Sequence, residues 1–187
     1  LKPTSVYDPD RFNLDRELLR RYYIKNGFAD MRVVSAVADV DREGKGFFLT
    51  FTIDEGVRYD FGSIDIESTL PSLSAEELRS RVLTKSGEIY NAEAVDRTVE
   101  ALTVAVAERG FAFGQVRPRV NRDPVSRTIS IVYVIEQGPR VYIERINIVG
   151  NFRTEDYVIR REFRVAEGDA YNKTMVEAGR VRLQQLG

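Results

Sequence analysis

The chain repeats itself at intervals of about eighty residues, and a period of that length means an array of small supersecondary units. The run Asp54-Glu55-Gly56-Val57-Arg58-Tyr59-Asp60-Phe61-Gly62-Ser63-Ile64-Asp65-Ile66 lies over Glu136-Gln137-Gly138-Pro139-Arg140-Val141-Tyr142-Ile143-Glu144-Arg145-Ile146-Asn147-Ile148 at an offset of 82 residues. Tyr90-Asn91 lies over Tyr171-Asn172 at 81, Ser74 over Thr154 at 80, and Lys25-Asn26-Gly27-Phe28-Ala29 over Glu108-Arg109-Gly110-Phe111-Ala112 at 83. On these offsets the sequence enters and leaves in mid-repeat, as a piece of something longer. The expected domains are 1–57, lacking its first strand, a complete unit over 58–139, and the first half of a unit over 140–187.

The middle repeat reads as βααββ. Phe61, Ile64 and Ile66 fall at strand spacing before Pro71. Ser74 with Glu77 reads as a capping box opening a short helix that carries Leu78, Val82 and Leu83, and Thr154-Glu155-Asp156 opens its counterpart. A second helix runs from Asn91 to Arg109, with Val95, Val99, Leu102 and Val106 as one buried stripe. Gly110 then supplies the left-handed residue of a Schellman ending, and Gly27 repeats the device. Two strands follow, Val116 to Asn121 and Thr128 to Glu136, the second alternating through Ile129, Ile131, Tyr133 and Ile135; Phe47, Leu49, Phe51 and Ile53 alternate likewise in the first repeat. The fold class is therefore α+β, with a three-stranded mixed sheet in the order 1-3-2 covered on one face by two antiparallel helices. Gly138-Pro139 joins consecutive repeats with little linker, which restricts their relative orientation.

Composition excludes much of enzymology. With neither Cys nor His, the chain offers no thiol nucleophile, imidazole base or usual structural zinc site, and no cofactor is expected. The balance of 28 Lys and Arg against 29 Asp and Glu, net −1, gives no field to draw nucleic acid. No apolar run reaches the ~20 residues of a membrane span, and Leu1-Lys2-Pro3-Thr4-Ser5 is not a signal peptide, so a soluble chain is expected. Glu76-Glu77 and Glu155-Asp156 sit at helix starts, where negative charge favours the macrodipole, and read as structural rather than catalytic. Asp8, Asp10, Asp39, Asp41 and Glu43 lack the ligand pattern of a calcium loop, and Asp39 to Gly44 reads as a polar turn. Arg16, Arg20 and Arg21 alternate with acids as a solvated face, and Gly44-Lys45-Gly46 lacks the spacing of a phosphate loop. Binding, not catalysis, is the expected work.

The second strand of each repeat is a sheet edge, and the two edges differ. In the first repeat Met31, Arg32, Val33, Val34, Ser35, Ala36, Val37 and Ala38 continue to Val40 without Pro or Gly and with little charge. Such an edge invites pairing with another chain. The corresponding strand of the middle repeat carries Pro118 between Arg117 and Arg119, which blunts it. The first edge is therefore a candidate for accepting an extended polypeptide by β-augmentation; packing against a neighbouring element is the plain alternative.

A βααββ unit of this length, with Gly-Phe-Ala at the end of its second helix and Glu-Gly or Gln-Gly before each new first strand, resembles the POTRA (polypeptide-transport-associated) domain. Asp15-Arg16-Glu17-Leu18-Leu19-Arg20-Arg21-Tyr22-Tyr23, Gly110-Phe111-Ala112-Phe113 and Arg140 to Asn151, followed by Arg153-Thr154 and Val158-Ile159-Arg160-Arg161-Glu162, are similar to the third to fifth POTRA domains of outer-membrane protein assembly factors of Gram-negative bacteria. Phe28 and Phe111 stand where that family often has Tyr. The resemblance implies a periplasmic arm joined to a membrane β-barrel, with unfolded outer-membrane protein segments and assembly lipoproteins of the BamD kind as partners and no nucleic acid. It also implies that Arg160, Arg161 and Glu162 contribute to lipoprotein docking, Glu162 foremost. The POTRA arm of a two-partner secretion pore or a TamA-like translocation subunit, and a purely structural spacer, are the competing readings. A last repeat without its hairpin is expected to expose Val176 and Leu183, and to be held by a neighbouring chain or partly disordered.

Overall fold

A computed structural model of the chain describes residues 9–40, 46–151 and 154–184. Asp8, Asp41, Glu43, Gly44, Lys45, Arg153 and the side chain of Asp10 lie outside the described residues, as does most of the expected turn after Asp39. The contacts divide into two compact units. One is formed by residues up to 62 with 86–93 and 121–130, the other by 63–85, 94–120 and 131–187.

The first unit opens with α1 (Pro9–Lys25), followed by β1 (Arg32–Val40) and β2 (Phe47–Asp54), an antiparallel pair that makes a two-stranded sheet. Ala36 faces Phe51, Ala38 faces Leu49 and Val40 faces Phe47, and an irregularity between Val33 and Ser35 shifts the register. Phe12 of α1 stacks on Phe51 at 5.2 Å, which sets the helix against that face. The end of α1 is the expected Schellman motif. Gly27 has φ +95°, the Phe28 amide donates to the Tyr23 carbonyl at 3.0 Å, and the Gly27 amide donates to Ile24 at 3.4 Å.

Strands β3 (Asp60–Ser68), β5 (Thr128–Gln137) and β4 (Gly114–Asp123) form the three-stranded mixed sheet, in the order β3-β5-β4, which is the expected 1-3-2. Along β5, Ile129, Ile131, Tyr133 and Ile135 are fully buried while their neighbours are half-exposed, so one face alone is covered. Its cover includes α2 (Ala92–Glu108), whose Val95, Val99, Leu102 and Val106 are buried at the expected spacing. Asn91 caps that helix by accepting from the Glu93 amide at 3.0 Å. The Schellman ending recurs, with Gly110 at φ +90°, Phe111 donating to Val106 and Gly110 donating to Ala107.

Several local expectations are corrected. The first helix of the middle repeat is a short 3₁₀ helix, Glu76–Arg81, ending before Val82 and Leu83, and no capping box forms at Ser74. The flanking residue is Ala75, already in helical conformation at φ −59°, ψ −33°, so no side-chain oxygen stands where a cap must. The three-residue turn does suit the Glu76–Arg79 ion pair at 3.1 Å, and Leu78 anchors it with no exposed surface. In the last repeat Val141 to Ile148 is extended but is not a strand. Among the described residues its pairing is a bridge from Tyr142 to Ala170, with Ile143 donating to Asp169 at 2.9 Å and Tyr171 to Val141 at 2.7 Å. The helices of that repeat are α3 (Asp156–Phe163) and α4 (Lys173–Gln184), and α3 is flanked by Glu155, without a side-chain cap from Thr154. Val176 and Leu183 are half-buried rather than exposed. Gly179 explains the fit: a Cβ there would lie 2.7 Å from the Phe163 Cα, so α4 crosses α3 at backbone distance.

Candidate functional site

The proposed client edge is β1, whose only paired strand among the described residues is β2. Met31 stands before the strand and is 4% exposed, so it belongs to the packing at its start and not to the edge. Arg32 is held across the pair by Asp54 at 2.7 Å, and its hydrogen bonds hold the Asp54 carboxyl below the usual carboxylate range. Val33, Ala36 and Ala38 are half-buried, while Val34, Ser35 and Val37 are exposed. Among the site residues, Val33 through Ala38 are thus the ones in the strand without an ion pair across it. By position in the repeat, β2 corresponds to β5 and β1 to β4, so the free side of β1 is the side left open in the complete repeat. There Pro118 falls 83 residues after Ser35, and its flanking arginines are engaged, Arg117 with Glu136 at 3.0 Å and Arg119 with Glu67 at 2.9 Å.

The three residues expected on the docking helix do different things. Arg160 donates to both carboxylate oxygens of Glu167, at 3.0 and 3.2 Å, and to the Ile146 carbonyl at 2.9 Å. Glu167 is held low in pKa chiefly by that guanidinium, and Arg160 is raised by the same bond. Arg160 therefore ties α3 to its own repeat. Arg161 is exposed, with Glu162 beside it at 3.4 Å, and the Glu162 side chain is 18% exposed. Of the three, Arg161 and the edge of Glu162 are the ones that reach the surface.

Sequence reasoning missed two clusters where consecutive repeats meet. In the first, the buried Tyr59 donates its hydroxyl hydrogen to Asp30 at 2.7 Å, Arg122 pairs with Asp30 and stands 5.6 Å over the Tyr59 ring, and Lys25 meets Glu93 at 2.9 Å. In the second, the Asn172 Nδ2 donates to the Gly114 carbonyl at 3.1 Å, Phe113 meets Tyr142 edge-on, and Arg182 pairs with Glu100 at 2.7 Å. The repeated Tyr-Asn at 90–91 and 171–172 was the available signal for Asn172; nothing in the spacing marks Asp30 or Arg182. Among the described residues no group of acidic side chains is placed to hold a metal.

A family model described as POTRA, surface antigen variable number repeat, matches residues 1–56, 59–138 and 141–187. The chain belongs to the POTRA family. It is 31% identical over 97% of its length to the outer-membrane protein assembly factor BamA of Neorickettsia risticii, and 24% identical over its whole length to that of Neisseria meningitidis serogroup B. It spans about a quarter of the length of these relatives, 24% in each. The crystal structure of Haemophilus influenzae BamA POTRA3-5 matches 97% of this chain and 72% of its own, at TM-score 0.63 and 25% identity. The expected resemblance to the third to fifth POTRA domains of an outer-membrane assembly factor is therefore found. POTRA domains of that factor are periplasmic. Among the described residues no helix is long and apolar enough to cross a membrane.

Proposed function

We propose that this POTRA array, divided into repeats at 1–57, 58–139 and 140–187, is the periplasmic binding arm of an outer-membrane β-barrel assembly machine. It receives unfolded outer-membrane protein segments by strand addition and docks an accessory lipoprotein, with no catalytic step of its own. The observation that carries the reading is the contrast between the two equivalent edges. β1 presents Val34, Ser35 and Val37 without a proline, whereas β4 carries Pro118 between two engaged arginines. Strand addition draws affinity from main-chain hydrogen bonds and tolerates many side chains, which suits a receptor for varied clients. The second surface is the Arg161 and Glu162 end of α3, accessible beside the internally tied Arg160. The test is photo-cross-linking to an unfolded outer-membrane protein from position 35 in β1 and position 121 in β4. Capture should favour position 35, and equal capture from both would contradict the proposal.

A further inference from the structure

Helix α4 is pinned to the middle repeat at both of its ends, by two side chains of different chemistry. At its start Asn172, 7% exposed, caps the helix by accepting from the Thr174 amide at 3.0 Å while its Nδ2 donates to the Gly114 carbonyl at 3.1 Å. In its last turn Arg182 donates from Nη1 to Glu100 of α2 at 2.7 Å and from Nε to the carbonyl of Glu162 in α3 at 2.9 Å. The Arg182 and Glu100 side chains are only 20% and 32% exposed, so salt screens this pair less than the surface pairs around it. The Arg182 Nη2 is buried and has no hydrogen-bond partner among the described residues, so the guanidinium is held through Nη1 and Nε. Gly179, one turn earlier on the same face, lets α4 lie against Phe163 of α3. Two separated attachments fix an axis, and α3 travels with α4.

The earlier joint cannot be built this way. At the 83-residue offset Glu100 corresponds to Glu17 of α1, and at the 81-residue offset Arg182 corresponds to Ala101, so the earlier joint places no cation opposite that carboxylate, and Glu17 is instead paired with Arg21 along its own helix. That joint uses Lys25 with Glu93, both about half exposed, at 51% and 53%.

We propose that Arg182 is a positioning residue, a latch between α2 and α3 that sets the direction in which Arg161 and Glu162 face relative to the middle repeat. The docking role of α3 rests on the function proposed above, but the latch rests on the Arg182 contacts and its test needs no partner. The chain has no cysteine, so spin labels at S80C in the 3₁₀ helix and Y157C in α3, both exposed, report the distance between the two repeats without background. Two variants break the latch differently: R182M removes the guanidinium, and E100K places a like charge opposite it from the α2 side, leaving every bond α4 makes within its own repeat. Domains without a fixed interface move relative to one another by default, so both variants should broaden the distance distribution about twofold while the circular dichroism spectrum stays unchanged. Distributions superimposable on the parent in both variants would overturn the latch. Broadening by R182M alone would overturn it too, because that result assigns Arg182 to the end of α3 and not to the α2 pair.

Discussion

The carbonyl of Gly27 accepts the amide hydrogen of Tyr59 at 2.9 Å, and a Cβ on Gly27 would lie 2.9 Å from the Tyr59 carbonyl oxygen. The turn that ends α1 therefore touches the start of the next repeat backbone to backbone. Gly110 ends α2 with the same left-handed conformation but has open space around it. The same helix-ending device serves in one place as a turn and in the other as a turn and a joint.

Alanine at Gly110 should accordingly cost only the left-handed backbone, about 1–2 kcal/mol. Alanine at Gly27 adds a collision with the Tyr59 oxygen, which as backbone cannot swing away, and the cost should be clearly larger. Urea unfolding of the two variants compares them directly; equal losses would mean that the Gly27 to Tyr59 approach relaxes freely.

Exchanging the edge residues should exchange the edges. S35P puts into β1 the proline that blunts β4, and should abolish capture of unfolded clients by a cross-linker at the exposed position 37; P118S should create capture from position 121 in β4 where there was little. Thermal melts check that neither variant unfolds the chain. Unchanged capture by S35P would point to binding through exposed side chains and not through the strand.

On α3, reversing Glu162 or Arg161 should weaken a lipoprotein pull-down with little effect on melting temperature. Replacing Arg160 by Ala should act on stability instead, because Arg160 holds Glu167 and the Ile146 carbonyl. Glu167 is lowered in the folded chain, so its contribution is present above the ordinary Glu value and fades as pH falls through the folded one. R160A should flatten that acid-side dependence.

Tyr133, fully buried under α2, shares a 3.0 Å hydrogen bond with Thr84. Burial raises its phenol, so the unfolded chain releases that proton first. Stability from this group is whole below the ordinary tyrosine value and falls as pH rises through the folded one. Y133F should cost about 1 kcal/mol at neutral pH by leaving Thr84 without that partner, and should reduce the alkaline loss of stability.

What the sequence made legible follows from periodicity. The stripe of α2, the alternation of β5 and both Schellman glycines are local patterns, each stated by residues within one element. The 3₁₀ helix was misread because Ser74 and Glu77 match a capping box whatever conformation Ala75 adopts. The extended run from Val141 was read as a strand because strand patterning records a face to be buried, not the presence of a neighbour to pair with. Asp30 with Arg122 and Arg182 with Glu100 are far apart in sequence, at separations of 92 and 82 residues, and no single-chain pattern brings them together.

The central claim is that β1 adds an incoming strand, and backbone hydrogen exchange reads it most directly. With a β-strand peptide from an unfolded outer-membrane protein, amides within Arg32–Val40 should gain protection while those of Gly114–Asp123 stay unchanged. Protection that is absent from β1, or that rises equally on both edges, would contradict the account.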